Sequence, residues 1–340
     1  MMQHFNVTKQ QSVALQKRKK RGKTMKKLLA LMMTAMLVIS MTACGSSDDG
    51  TYNIGICQLV QHDALDAATL GFREALTELL GDKVTFDEQN ASGDSATCAT
   101  IVNQFVSQDV DLILANATPA LQAAAAGTGE IPILGTSITD YATALEIVDW
   151  TGVTGTNISG TSDLAPLAEQ AKMLNELFPD AATVGILYCS VEANSAYQAS
   201  VIQTELEGLG YTCNTYTFAD SNDIASVTTQ ATTECDVIYV PTDNAVASNT
   251  EIINNICLPA QIPVIAGEEG ICSGCGVATL SISYYDIGYK AGEMAYEILV
   301  NGADVSTMAV EFAPNVTKKY NAANCEALGI TPPEGYVAIE

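Results

Sequence analysis

The chain has 340 residues, 48% of them apolar, and sets 39 acidic side chains against 15 basic ones. That apolar share at low charge density describes a folded globule rather than an acidic disordered tail, and the length allows two lobes with their own cores. Nine of the 15 Lys and Arg precede Cys44 and none of the Asp or Glu does, so everything downstream opposes six scattered cations to 39 acids. A basic patch for nucleic acid or anionic lipid cannot be assembled from six cations, which excludes those partners.

Residues 1–24 precede a natural start at Met25 and read as an upstream extension. Met25-Lys26-Lys27 leads into the uncharged run 28–41, followed by Thr42-Ala43-Cys44-Gly45-Ser46-Ser47. A basic start, an apolar run too short to span a bilayer comfortably, and small residues at its end describe a secretory signal peptide. A cysteine directly after the small residues resembles the bacterial lipoprotein signal, with Met41 where that pattern usually has Leu. The expectation is therefore removal of 1–43, acylation of Cys44, and a flexible Ser/Asp/Gly-rich tether over 44–51. An uncleaved anchor and a plain signal peptide are the rival readings; all three export the domain.

From residue 52 strand-like and helix-like segments alternate. Residues 52–57 form a short apolar run, and over 64–80 Leu65, Ala68, Phe72, Leu76 and Leu79 share one helical stripe. Segments 84–89, 94–107, 111–116, 119–126 and 131–135 continue the alternation. A second series follows 151–158: helix 163–177, strand 183–189, helix 192–209, strand 212–218, helix 223–233, strand 236–240, helix 245–256 and strand 263–266. Two series of about five units each predict an α/β protein of two lobes, each with a parallel sheet covered by helices. Ligands in such sheets sit outside the carboxyl ends of the strands, so the turns there are the place to look.

Those turns carry Gln58 and His62 after the first strand, Thr118 after the third, and Ser137 and Asp140 after the fourth. Thr161, Ser162 and Asp163 open the second series, and Asn194, Asp243 and Glu268 follow strands within it. Any single hydroxyl or carboxylate there also reads as a helix cap; capping leaves Gln58, His62, Glu268 and Glu269 at the same end unexplained. Together the two sets offer donors for a carboxylate and acids for an ammonium. Nine cysteines remain after Cys44, an odd number, and most lie in apolar runs where cysteine acts as a small buried hydrophobe. Cys272 and Cys275 read as a local disulfide or as two unpaired loop thiols. With His62 the only histidine downstream of Cys44, no metal site is expected.

A family resemblance rests on Ile54-Gly55-Ile56-Cys57-Gln58-Leu59-Val60, Gln89-Asn90-Ala91, Ala117-Thr118-Pro119, Gly160-Thr161-Ser162-Asp163-Leu164, Glu192-Ala193-Asn194-Ser195, Tyr239-Val240-Pro241-Thr242-Asp243-Asn244 and Ile262-Pro263-Val264-Ile265-Ala266-Gly267-Glu268-Glu269-Gly270. In these the chain resembles the extracytoplasmic substrate-binding lipoproteins of ABC importers, in the branch that includes tryptophan- and other aromatic amino acid-binding proteins. The likeness runs through nearly all of the chain after Cys44; Tyr141 and residues 272–276 depart from the usual pattern. It implies a type I periplasmic-binding-protein fold, two Rossmann-like lobes joined by a three-stranded hinge. Lobe 1 would hold 52–160 plus about 284–312 and lobe 2 would hold 161–283, with 278–283 as the returning strand and 313–340 unassigned.

The resemblance further implies a monomer without cofactor that closes around one small molecule, an amino acid, and docks on permease subunits, held at the membrane through Cys44. Thr118, Ser137, Thr161 or Ser162 would take the carboxylate. Asp243 is the first choice for the ammonium, with Glu268 and Asp163 behind it, and His62, Tyr197 and Tyr284 would face an aromatic side chain. A sensor lobe for a membrane receptor uses the same closure and is the alternative. An exported enzyme is disfavoured, because no Gly-x-Ser-x-Gly elbow, phosphate loop or Gly-x-Gly-x-x-Gly fingerprint follows a strand.

Overall fold

The computed structural model describes residues 50–339. The expected leader and the lipidation site Cys44 lie outside the described residues. The first series forms β1 (Tyr52–Gln58), α1 (Asp63–Leu80), β2 (Val84–Asn90), α2 (Ser95–Gln108), β3 (Leu112–Asn116), α3 (Thr118–Gly127), β4 (Ile133–Ile138), α4 (Tyr141–Ala144) and β5 (Ile158–Ser162). The second forms α5 (Leu167–Leu177), β6 (Thr183–Cys189), α6 (Ala193–Gly208), β7 (Thr212–Phe218), α7 (Ile224–Glu234), β8 (Val237–Val240), α8 (Asn244–Ala247), α9 (Thr250–Cys257), β9 (Val264–Ala266), α10 (Glu269–Cys275) and β10 (Ala278–Ser281). The chain ends with α11 (Tyr284–Leu299), β11 (Glu311–Phe312), β12 (Thr317–Tyr320), α12 (Ala322–Leu328) and β13 (Val337–Ala338).

Both sheets repeat one topology. The first runs β2-β1-β3-β4-β5-β11, all parallel, and the second runs β7-β6-β8-β9-β10-β12-β13, parallel except where β12 meets β10. Even the entry to the third strand repeats. Asp111 accepts a hydrogen bond from the Asn53 N–H at 2.7 Å, and Asp236 accepts from Ala182 and Thr183 at 2.8 and 2.9 Å. Each carboxylate ties the start of one central strand to its neighbour. Apolar clusters line both faces of each sheet, as parallel strands require. The chain crosses between the sheets three times, after Ser162, after Ser281 and after Phe312, which makes the expected three-stranded hinge.

Several boundaries differ from the sequence reading. Thr136 and Ser137 are strand residues, since β4 continues to Ile138 through a register shift at which Ser137 takes φ +57°. Thr161 and Ser162 close the first sheet, opposite Glu311 and Phe312, and α5 begins only at Leu167 because Pro166 lacks an N–H and holds its predecessor out of the helical region. The run 245–256 splits into α8 and α9. Residues 278–281 are the fifth parallel strand of the second sheet, and the return to the first lobe is the two-residue step after it. The C-terminal segment supplies β12 and β13 to the second sheet. Tyr141 is buried in the core, stacked on Trp150 at 6.3 Å, with its hydroxyl donating to the Thr161 carbonyl at 3.2 Å in space left by Gly135 and Gly160.

The return helix α11 lies along α1, and small residues make the approach possible. A Cβ on Gly288 would meet the Ala68 Cα at 2.7 Å and intrude on its carbonyl, and one on Gly71 would meet the Tyr289 amide at 2.8 Å. Those neighbours are backbone and cannot rotate away. Gly288→Ala is expected to cost about 1–3 kcal/mol, visible as a lower midpoint in denaturant or thermal unfolding. Gly208→Ala, whose added methyl meets nothing within 4 Å, is the control and should be neutral or stabilising by about 0.4–1 kcal/mol. Equal effects would show that close helix contact is not the reason for Gly288.

Candidate functional site

The carboxyl ends of the two sheets face each other, and between them lies a narrow cavity whose free space, about 10 Å³, is no more than one water's worth. His62, Leu65, Ser137, Thr139 and Asp163 line it from the first lobe; Asn194, Thr242, Asp243, Asn244, Ala247 and Glu268 line it from the second. Tyr284, the first residue of α11, sits where the hinge enters. Two hydrogen bonds bridge the lobes. His62 Nε2 lies 3.3 Å from Asn244 Oδ1, and Gln198 Nε2 donates to Thr139 Oγ1 at 3.3 Å. The cleft is shut.

No Lys or Arg lines this cavity, yet three buried acids do. Burial raises the carboxyl of Asp163, opposed by the hydrogen bond it accepts on Oδ2 from the Tyr284 hydroxyl at 2.9 Å and, less, by the nearby Thr139 hydroxyl and its own N–H. Burial, with the Glu192 charge nearby, brings Asp243 up to about 7. Burial likewise brings Glu268 up to about 7, with Glu269 and Asp63 adding to it. Burial pushes the His62 imidazole down. The site is acidic, dehydrated and without a counter-ion of its own.

The acids differ in what their oxygens already hold. Asp243 caps α8: Oδ1 accepts from the Val246 N–H at 2.8 Å and Oδ2 from the Cys189 N–H at 2.7 Å. Glu268 caps α10, accepting from the Gly270 N–H at 2.6 Å and from the Ile271 N–H. Both are helix caps with both oxygens engaged. Asp163 Oδ1, by contrast, is buried and accepts no hydrogen bond. Ser137 Oγ and Asn194 Oδ1 are the other cavity-lining atoms in that condition. Three of the residues that line this cavity thus carry an unpartnered polar atom.

The remaining expected site residues divide cleanly. Gln58 lies under the cleft in a closed network: its Nε2 donates to Asp66 Oδ1 at 2.6 Å and to the Val60 carbonyl, and its Oε1 accepts from Thr69 Oγ1 at 2.6 Å. Thr161 donates to Thr136 Oγ1 at 3.1 Å, and Ser162 donates to the Thr139 carbonyl at 3.0 Å. Asp140 caps α4 through the Thr143 N–H at 2.7 Å. None of these four lines the cavity, and neither does Tyr197, a half-buried residue of α6. Thr118 is buried with an unpartnered hydroxyl at the start of α3, whose preceding Ala117 has φ +89°, but it too is outside the lining.

Two residues that the strand-end turns do not single out shape the walls. Glu192 Oε2 accepts from Asn194 Nδ2 at 3.1 Å and from Asn244 Nδ2 at 2.6 Å, so one carboxylate orients both wall amides. Its Oε1 accepts from the Ala245 N–H at 2.9 Å. Gln198 accepts from the Thr242 N–H and hydroxyl while it reaches Thr139. Nothing in a lone Glu or Gln on a helix announces such a role. The nine described cysteines are all unbridged. Cys272 and Cys275 lie within α10 rather than in a loop, buried in the core, so the local disulfide is not formed.

Comparison with known proteins agrees with this architecture. The description ABC transporter substrate binding protein matches residues 53–338. The tyrosine-binding protein of Clostridioides difficile (strain R20291) is 35% identical over 291 residues, 81% of this chain and 84% of that protein. A solved ABC domain from Streptococcus pneumonia in complex with L-Trp is 31% identical, with a TM-score of 0.81 over 85% of this chain and 100% of that one. The ligand-free, open structure of a substrate binding protein with adhesive properties from Clostridium difficile is 37% identical, yet its TM-score is 0.66 over 85% of this chain and 99% of that one. With two Rossmann-like lobes, three crossings and a cleft at the strand ends, the chain belongs to the ABC transporter substrate binding proteins of type I periplasmic-binding fold, a family of binding proteins and not of enzymes.

Proposed function

We propose that this protein is an extracytoplasmic lipoprotein, held by an acylated Cys44, that closes around an amino acid with an aromatic side chain and delivers it to the permease of an ABC importer. The observation that carries the ligand class is the acidic cavity without a cation, in which Asp163 Oδ1 is buried and unpartnered. A ligand that brings an ammonium supplies the missing counter-charge, and in a water-excluded site such a charge-assisted hydrogen bond is strong. Ser137 Oγ is the free hydroxyl for the carboxylate. Leu65, Ala247, His62 and Tyr284 give the remainder of the lining its apolar and flat surfaces. The relatives named for tyrosine and bound to tryptophan support the aromatic choice. The lobe arrangement superposes better on the tryptophan-bound relative than on the open one of higher identity, in keeping with a shut cleft.

In this reading Asp163 replaces Asp243 as the partner of the ammonium, because both oxygens of Asp243 are held by backbone N–H groups. Tyr284 holds Asp163 in place through Oδ2 and leaves Oδ1 to the ligand. Closure then moves the second lobe over the bound molecule by rotation at the three crossings.

Calorimetric titration with L-tryptophan, L-tyrosine, L-phenylalanine and non-aromatic amino acids tests the ligand class; binding confined to aromatic members is expected, and silence across the panel sinks it. Asp163→Asn keeps an oxygen for Tyr284 but removes the charge, and should weaken binding by about 2–4 kcal/mol, roughly 30- to 1000-fold. The same residue sets a pH dependence. Unfolded, the carboxyls of Asp163, Asp243 and Glu268 lose their protons near pH 4, whereas the empty folded form retains them to higher pH, to about 7 for the latter two. The folded form therefore binds more protons across that window, and the melting temperature of the empty protein should fall as the pH rises from about 4 to 7. An ammonium beside Asp163 favours its charged form, so binding should release more protons from the wild type than from Asp163→Asn, read by calorimetry in two buffers of different ionisation enthalpy. Equal release by the two proteins would remove Asp163 from the ammonium site. For the anchor, Cys44→Ser should abolish labelling by radioactive palmitate and move the protein from the membrane to the soluble fraction; retained label would refute acylation there.

A further inference from the structure

We infer that Asn194 is the second-lobe half of the ammonium site, so that the ligand nitrogen is gripped from both lobes at once and closure requires a nitrogen with at least two free N–H donors. The inference rests on the amino-acid reading above and adds to it the residue that converts binding into closure.

Asn194 stands on the second lobe and Asp163 at the first-lobe end of a crossing, its N–H donating to the Ile138 carbonyl at 3.1 Å; both line the same small cavity and are 6% and 4% exposed. Each presents one oxygen, Oδ1, that accepts no hydrogen bond. The orientation of the Asn194 amide is determined by its surroundings. Its Nδ2 donates to Glu192 Oε2 at 3.1 Å, to Ser195 Oγ at 3.2 Å and to the Thr242 carbonyl at 3.2 Å. Turning the amide over would set an oxygen against a carboxylate and a carbonyl, so Oδ1 is fixed as the atom left without a partner. A chain of contacts joins the two walls beside these residues: the Asn194 backbone carbonyl accepts from Gln198 Nε2 at 3.3 Å, and that same nitrogen reaches Thr139 Oγ1 of the first lobe at 3.3 Å.

The energetic consequence follows from burial. Shut and empty, the cleft leaves two acceptors without donors, and an unsatisfied buried acceptor opposes that state. An ammonium carries three N–H donors in tetrahedral array and can serve both acceptors only when the lobes are together. Closing without ligand is penalised and closing with it is rewarded, which is the differential affinity for two conformations that a population shift demands. A carboxylate alone on the first lobe would bind a cation without drawing the second lobe over it.

The test uses L-tryptophan and its Nα,Nα-dimethyl derivative, whose ammonium keeps a single N–H donor while the indole N–H is unchanged, with small-angle scattering at saturating ligand to read closure and calorimetry to read affinity. Wild type is expected to contract with L-tryptophan and to bind the dimethyl compound at least tenfold more weakly without contracting. Asn194→Ala is expected to bind L-tryptophan roughly 10- to 100-fold more weakly and, when saturated, to stay as extended as the empty protein. Contraction of the wild type with the dimethyl compound, or of saturated Asn194→Ala to the wild-type extent, would overturn the inference. Should Asn194→Ala fail to fold, as judged by circular dichroism, the ligand pair on the wild type decides alone. Absence of L-tryptophan and L-tyrosine binding to the wild type would overturn the aromatic reading itself, a result distinct from binding without closure.

Discussion

The close packing of α11 on α1 is the contact on which the rest of the arrangement depends. Gly71 on one helix and Gly288 on the other let the two backbones approach where any side chain would intrude. This contact returns the chain to the first lobe after the second has been built, and so makes the connection between them a hinge of three crossings instead of a single linker. It also delivers Tyr284, the first residue of α11, to the cleft, where its hydroxyl holds Asp163. Packing far from the ligand thereby sets the orientation of the charge proposed to meet it.

Electrostatics give the cleft its character through what it lacks. Five of the six cations after residue 44 are paired with acids away from the cavity: Arg73, Lys172, Lys290, Lys318 and Lys319 meet Glu88, Glu169, Glu293, Glu176 and Glu269. Such surface pairs contribute little to stability. Their consequence here is that the buried acids of the cleft have only hydrogen-bond donors around them, two as helix caps and one with an open oxygen. A cationic ligand is worth most at the open one, since it alone lacks a donor.

The motifs located the end of the sheets where function lies, but they could not separate a cap from a ligand contact. Asp140, Asp243 and Glu268 are the residue types that either role needs, at the position where either role is played. Only the backbone N–H groups found within reach decide between them. Gln58 illustrates the same limit from the other side: it stands at a strand end, yet Thr69 and Asp66 satisfy it from below. Those partners are 8 and 11 positions along the chain, on α1, and only the packing of that helix on β1 brings them there. Ser137 lines the cavity although its strand runs on past it, at the register shift between Gly135 and Ile138.

What the sequence by itself determined was the class of fold and its repeat, because periodic burial, turn residues and cap chemistry are local properties of consecutive residues. Two series of strand and helix, and a cleft at their carboxyl ends, follow from those alone. The tertiary structure decided which polar atoms remain without partners once everything else has been satisfied. That is a property of the whole hydrogen-bond inventory, summed over elements up to a hundred residues and more apart, as with Tyr284 and Asp163. No local pattern encodes an absence, and the oxygens of Asp163 and Asn194 are recognised by theirs.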